Sequence, residues 1–305
     1  MKAVQFQHYG GPEVLKIVDL PDPHPGPGQV RIRVRAAGIS ASDTKIRRGE
    51  LSFGATLPQT TGADVAGVVD EIGDGVTDVA VGDRVFGISD DQAAAAEFAL
   101  LSFRAPIPPS LGFVDAAGIP VALETATRGL DQLHVTAGTT LFVNGASGGI
   151  GTATVQLAVA RGARVIGAAG ARNSGFLSML GAEPVTYGDG MTDRVRTLAP
   201  DGVDVALDVA GNGVLPELID LAGGNAKNVI TLADFAGAEQ HGVHFSNGFA
   251  DGNAFHALAT IGELIEAGRF WLPVERTFPL ADIAEAHRAS ETGHVRGRLV
   301  LTAFS

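Results

Sequence analysis

The sequence contains no cysteine. Disulfides are therefore excluded, and so is any zinc site built on thiolates, structural or catalytic. No uninterrupted apolar run reaches the length of a membrane span, and the opening MKAVQFQHYGGPEV carries no apolar signal core. A soluble, cytoplasmic chain is expected. Basic residues are also scarce: 22 Lys and Arg stand against 34 Asp and Glu, a net charge of −12. That balance argues against nucleic acid or an anionic membrane as the main partner. Charged residues make up 18% and hydrophobic residues 45% of 305 positions, which suits one large or two ordinary folded domains and argues against disorder.

What the chain does contain is a glycine-rich turn between two apolar runs, TTLFVNGASGGIGTATVQLAVARGARVIGAA (139–169). Leu141 to Val143 leads into Gly145, Gly148, Gly149 and Gly151; a helix-patterned stretch follows, then a second run from Val165 to Ala169. This is a strand–turn–helix–strand unit. Glycines let the backbone approach phosphates, and the helix start offers free N–H groups and a partial positive charge. Read from Asn144, the turn also resembles that of short-chain dehydrogenases. Those enzymes need a Tyr with a Lys four residues later, whereas the two tyrosines, Tyr9 and Tyr187, are followed at that distance by Glu13 and Met191. A second absence selects the dinucleotide. NAD-binding folds place a carboxylate about twenty residues past the first glycines, on the ribose 2′-hydroxyl. Here the second strand ends Ala168-Ala169-Gly170 with no acid, and Arg172 and Asn173 follow. A guanidinium in place of the acid suits a 2′-phosphate, hence NADP(H).

Residues 1–110 read as β-rich. Val30, Ile32 and Val34 alternate with Arg31, Arg33 and Arg35, a half-buried strand with a basic solvent face. Residues 62–87 give short strands split by Gly and Asp turns, a barrel-like pattern. From Phe113 the pattern turns helical, with Pro120 interrupting. Strand-like runs recur at Pro184–Tyr187, Val203–Val209 and Asn228–Leu232 with helical stretches between, which implies a parallel doubly wound sheet. Phe255–Ala267 reads as an amphipathic helix, and the tail as strand (Val274–Phe278), helix (Leu280–Ser290) and strand (Arg298–Thr302).

Taken together, TTGADVAGVVDEIGDGVTDVAVGDRVFG, VALETATRGL, FLSMLGAEPVTY, VDVALDVAG and HVRGRLVL resemble blocks of the zinc-independent quinone oxidoreductases, the zeta-crystallin-like group of the medium-chain dehydrogenase/reductase superfamily. The resemblance runs nearly the whole length. It implies an α/β fold, with a GroES-like β-rich catalytic domain (1–113 with 254–305) and a Rossmann NADP(H)-binding domain (114–253). The metal positions of the related zinc alcohol dehydrogenases are absent: their catalytic cysteine falls in GISASD (38–43), their Gly-His-Glu reads Gly62-Ala63-Asp64, and their four-cysteine lobe is reduced to DDQAAAAEF (90–98). The implied activity is hydride transfer from NADPH to a quinone or α,β-unsaturated carbonyl compound, in a homodimer. A reductase of enoyl thioesters and a non-catalytic NADPH-binding sensor or structural protein are the competing readings.

The resemblance also carries site residues. Gly148, Gly149 and Ile150 fall on the pyrophosphate, with Gly145 and Ser147 of the same turn also read as cofactor-binding, and Gly170, Arg172, Asn173 and Tyr187 fall on the 2′-phosphate and adenosine. Tyr187 reads equally as a strand-end core residue. Thr125 matches the threonine beside the nicotinamide, with a hydroxyl bonded to its own helix as the alternative. Ala210, Gly211, Leu232, Phe245 and Asn247 lie at or just after strand ends on the ligand side. Asp43 orients substrate or relays a proton, Ser40 or Thr125 stabilises and protonates the developing oxyanion, and Asp64 turns a loop by bonding backbone amides. Arg298 reaches the cofactor or pairs on the surface. The histidines show no metal-ligand spacing. Pocket shape depends on the loops 43–58 and 233–254.

Overall fold

The computed structural model describes residues 1–51 and 56–302. Part of the loop 43–58 therefore lies outside the described residues. The chain divides into two compact units, residues 1–121, 258–267 and 272–305, and residues 122–257 and 268–271.

The first unit begins with β1 (Lys2–Phe6), β2 (Lys16–Asp19), β3 (Val30–Ile39), α1 (Ala41–Arg48), β4 (Gln59–Thr60), β5 (Asp64–Ile72), β6 (Arg84–Ile88), β7 (Phe98–Leu101), β8 (Phe103–Pro106) and α2 (Phe113–Ala116). The alternation in β3 has the expected cause. Val30, Ile32 and Val34 are buried, while Arg31 pairs with Asp70 at 2.9 Å and Arg33 lies over the Phe98 ring, 4.9 Å from its centre. The β-rich reading of residues 1–110 omits α1. This helix has eight residues, too few to display a period. It is set by a capping box between Ser40 and Asp43, and it stops at Gly49, φ 77°.

The second unit carries most of α3 (Pro120–Gln132), then β9 (Thr140–Asn144), α4 (Gly149–Ala160), β10 (Arg164–Ala169), α5 (Ser174–Met179), β11 (Glu183–Thr186), α6 (Met191–Leu198), β12 (Val205–Asp208), α7 (Leu215–Leu221), β13 (Val229–Thr231), α8 (Phe235–His241), β14 (His244–Phe245) and α9 (Gly248–Asp251). All its strand pairs are parallel, and the strand order is β11-β10-β9-β12-β13-β14. That is the Rossmann order, which reverses between β9 and β12 and opens a crevice at the carboxyl ends of those strands. The core of this sheet is apolar: Phe142, Ile166, Ala206 and Val229 are all fully buried.

The chain returns through α10 (His256–Glu266), β15 (Val274–Pro279), α11 (Ile283–Glu291) and β16 (Arg298–Thr302). β16 pairs antiparallel with β3, and β15 lies parallel to β16, so the tail completes the large sheet of the first unit, order β15-β16-β3-β5-β6-β8 with β7 also on β3. Ile283 and Ala286 of α11 enter the same core as Ile32 and Val65.

Two polar clusters are structural. The first centres on Arg47, which is fully buried. Its Nε donates to Gly10 O at 3.1 Å, Nη1 to His287 Nδ1 at 3.5 Å, and Nη2 pairs with Glu291. Burial, helped by the neighbouring Arg47 charge, depresses the His287 pKa to about 3. The second centres on Asp208, at the carboxyl end of β12. Its Oδ1 accepts from Asn144 Nδ2 at 2.8 Å, Gly211 N at 2.9 Å and Ala210 N at 3.1 Å, and its Oδ2 accepts from Thr231 Oγ1 at 2.8 Å. One carboxylate thus ties together the ends of β9, β12 and β13.

Two predictions follow from these clusters. His287 stays neutral in the folded chain but takes up a proton below about 6.5 when unfolded. Stability should therefore be lost as pH falls from about 6.5 toward 3, by roughly 3 kcal/mol at pH 4. Chemical denaturation at pH 7 and pH 4 should show this loss, and His287→Asn should shrink it. Asp208→Ala leaves Ala210 N, Gly211 N and the Thr231 hydroxyl without an acceptor and Asn144 with only a long bond to Gly211 O, and should cost about 3–5 kcal/mol, whereas Asp208→Asn, which keeps one oxygen, should cost about 1–2 kcal/mol. Equal losses in the two variants would show that the carboxylate is not a shared acceptor.

Candidate active site

The glycine turn connects β9 to α4. Gly145 has φ +85°, and a Cβ on Gly151 would sit 2.2 Å from Gly145 O, so both glycines are demanded by the turn itself. Gly148 differs. Its φ of −75° suits any residue, and a Cβ there would meet nothing nearer than 3.7 Å. Neither backbone nor packing requires glycine at this position. Its bareness leaves the helix start open to an approaching group, as a pyrophosphate cradle requires. Gly149 and Ile150 supply the first two residues of that helix.

The ends of β10 and β11 build one side of the crevice. Asn173 Nδ2 donates to Ser147 Oγ at 2.9 Å, fastening the glycine turn to the segment after β10. Arg172 is exposed in that segment. Tyr187 is 54% exposed and is therefore not a core residue. It lies beside Gly170, whose Cβ would be 3.6 Å from the Tyr187 hydroxyl. Arg194, which sequence reasoning passed over, shapes the loop that presents this tyrosine. It donates to Thr186 O at 2.7 and 3.0 Å, to Asp189 O at 2.9 Å and to Gly188 O at 3.1 Å.

The other side is formed by the ends of β12, β13 and β14. Ala210 and Gly211 are held by Asp208, and Leu232 N donates to Asp208 O at 2.8 Å. Phe245 stacks edge-on against Phe235, ring centres 5.3 Å apart. Asn247 caps α9, its Oδ1 accepting from Ala250 N at 3.0 Å. Thr125 does not bond back to its own helix backbone. Its hydroxyl donates to Glu124 Oε2 at 3.0 Å, and Glu124 pairs with Arg128 at 2.8 Å. Both charged residues are buried, and neither was singled out in the sequence. Their i, i+4 spacing was visible, but such pairs normally sit on a solvated face.

Ser40 and Asp43 meet in the first unit. Asp43 Oδ2 accepts from Ser40 N at 2.7 Å and from Ser40 Oγ at 2.8 Å, and Ser42 Oγ lies 2.6 Å from Ser40 Oγ. Burial raises the Asp43 pKa to about 6, against the opposing pull of the Ser40 bonds. Asp64 is also buried. It opens β5, accepts from Val121 N at 2.5 Å and pairs with Arg298. Burial raises its pKa, and the Arg298 charge opposes the rise. Of the two readings of Arg298, pairing on the surface is corrected: the side chain is 4% exposed and pairs with buried Asp64. Among the described residues, no three His, Cys, Asp or Glu side chains converge as a metal site, and no helix is long and apolar enough to cross a membrane.

Comparison with known proteins agrees with this architecture. Residues 26–102 match the alcohol dehydrogenase GroES-like domain, and residues 180–301 match the family described as zinc-binding dehydrogenase. A quinone oxidoreductase of Rattus norvegicus is 38% identical over 220 residues, 70% of this chain and 67% of the relative. A chloroplastic NADPH-dependent alkenal/one oxidoreductase of Arabidopsis thaliana is 30% identical across 99% of this chain and 79% of its own length. The solved quinone oxidoreductase of Coxiella burnetii superposes with a TM-score of 0.85 at 31% identity, covering 99% of both chains. The protein is a member of the medium-chain dehydrogenase/reductase superfamily, with the quinone oxidoreductases as its homologues.

Proposed function

We propose that the protein is a zinc-independent, NADPH-dependent reductase that passes hydride to a quinone or an α,β-unsaturated carbonyl compound. The observation that carries the cofactor choice is the end of β10. It bears no acid, and Arg172 stands exposed two residues beyond Gly170. Bound NADPH would supply the hydride. Gly145, Ser147, Gly148, Gly149 and Ile150 hold the pyrophosphate. Gly170, Arg172, Asn173 and Tyr187 take the adenosine and its 2′-phosphate, by a charge-assisted bond from the guanidinium. Thr125, Ala210, Leu232, Phe245 and Asn247 belong to the nicotinamide half. We assign Arg298 to the fold, because its charge is directed at buried Asp64.

The substrate oxygen gains negative charge as its conjugated carbon accepts hydride, so the reaction also consumes a proton. Asp43 and Ser40 are suited to provide it. Asp43 holds its proton up to about pH 6. The hydroxyls of Ser40 and half-buried Ser42 form a chain leading away from it. A proton passing from Asp43 to Ser40 and from Ser40 to Ser42 leaves the Ser42 proton for the oxyanion, and solvent then reprotonates Asp43.

The reading is tested by following NADPH oxidation with small quinones and enones. Turnover should favour NADPH over NADH, and Arg172→Ala should weaken NADPH binding roughly 10- to 100-fold while leaving NADH nearly unchanged. Equal loss of both cofactors would refute the 2′-phosphate assignment. A general acid must carry its proton, so kcat should fall as pH rises through about 6. Asp43→Asn should lower kcat roughly 100-fold and remove that inflection. A wild-type profile that is flat between pH 5 and 8 would remove Asp43 from the mechanism.

A further inference from the structure

A buried ion pair beside Thr125 has a chemical consequence for that hydroxyl. Glu124 receives donors on both oxygens: Oε1 accepts from Arg128 Nε at 2.8 Å and from Ala254 N at 3.1 Å, and Oε2 accepts from Arg128 Nη2 at 3.3 Å and from Thr125 Oγ1 at 3.0 Å. A carboxylate paired in this way only accepts, so the single proton of Thr125 is committed to Glu124. What the Thr125 oxygen still offers is lone pairs.

The pair also locates the threonine on the sheet. Arg128 donates to Ser246 Oγ, and Ser246 N donates to Thr231 O at 3.0 Å, at the carboxyl end of β13. A Cβ on Gly129 would lie 3.1 Å from Leu207 of β12. This stretch of α3 therefore belongs to the β12–β13–β14 half of the parallel sheet. In a doubly wound sheet the dinucleotide lies across the carboxyl ends, with its pyrophosphate at the turn after the first strand. With Arg172 and Tyr187 on the β10–β11 side, the β12–β14 side is left for the nicotinamide ring. The ring's carboxamide presents a carbonyl acceptor and an amino donor, and an oxygen whose proton is already committed can bond only the second.

We infer that Glu124 is a positioning residue: with Arg128 it holds the Thr125 hydroxyl as an acceptor that recognises the carboxamide amino group of the nicotinamide. This rests on the dinucleotide reading above. It also removes Thr125 from the candidates for proton donor, leaving that role to the Ser40–Asp43 pair or to water.

The test uses calorimetric binding of NADP+ and of its 3-acetylpyridine analogue, in which a methyl group replaces the amino group and the carbonyl is kept. Wild type should bind the analogue roughly 5- to 10-fold more weakly, the equivalent of one lost hydrogen bond. Thr125→Ser should keep this penalty and Thr125→Val should abolish it. Glu124→Gln should shrink it, because the amide of Gln can donate to Thr125 and free its proton to meet the carbonyl. If the single charge change destabilises the fold, the charge-free pair E124Q/R128Q carries the same comparison. The same penalty in wild type and Thr125→Val would overturn the contact, and an undiminished penalty in Glu124→Gln or its charge-free pair would overturn the role of Glu124. Failure of wild type to bind NADP+ would overturn the dinucleotide reading itself.

Discussion

The carboxylate of Asp208 is the constraint on which the cofactor unit depends. Parallel strands share no hairpins, so nothing local aligns their ends. Asp208 aligns three of them at the point where strand order reverses, by collecting donors from Asn144, Thr231 and the Ala210–Gly211 turn. The glycine turn begins one residue after Asn144, and the segments carrying Leu232 and Ala233 begin just after Thr231. The glycine turn and the segment after β13 therefore both start from strand ends held by a single buried acid. The group is fully sequestered from solvent, and it is tolerated there because each oxygen finds a donor.

The other buried acids show how environment divides similar side chains between roles. Asp64 faces a guanidinium, and the pair joins β5 to β16, two strands far apart in sequence. Asp43 has only hydroxyl and amide donors in contact. Without a full countercharge, burial dominates, and the group keeps a proton into a range where chemistry at neutral pH can draw on it. Glu124 is paired like Asp64, yet its position beside Thr125 makes its effect directional rather than merely cohesive.

Much of the fold was legible because its signals are local. Alternation in Val30–Val34, glycines between two apolar runs, and the missing acid at Ala169–Gly170 all lie within short windows and reflect backbone physics. The site was legible only in part. Helix α1 is short and held by a cap, so it left no periodic trace. Asp208 acts through partners brought near only by folding, and the i, i+4 spacing of Glu124 and Arg128 does not reveal that the pair is buried. Arg194 bonds carbonyls, an interaction that side-chain patterns do not encode. Arg298 reads as an ordinary terminal charge until Asp64, 234 positions away, is placed against it.

The short stretch from Gly268 to Trp271 belongs to the cofactor unit although the residues on either side belong to the other. It is fastened there by Gln156 of α4, whose Nε2 donates to Trp271 O at 2.8 Å and whose Oε1 accepts from Trp271 N at 3.1 Å. The backbone thus passes between the units after residues 121, 257, 267 and 271. No single cut releases either unit as a continuous piece. A fragment ending near residue 257 would leave the Gln156 amide without its two bonds to Trp271. Even a chain closed into a circle would cross between the units four times, so separately expressed halves call for new linkers that rejoin discontinuous segments.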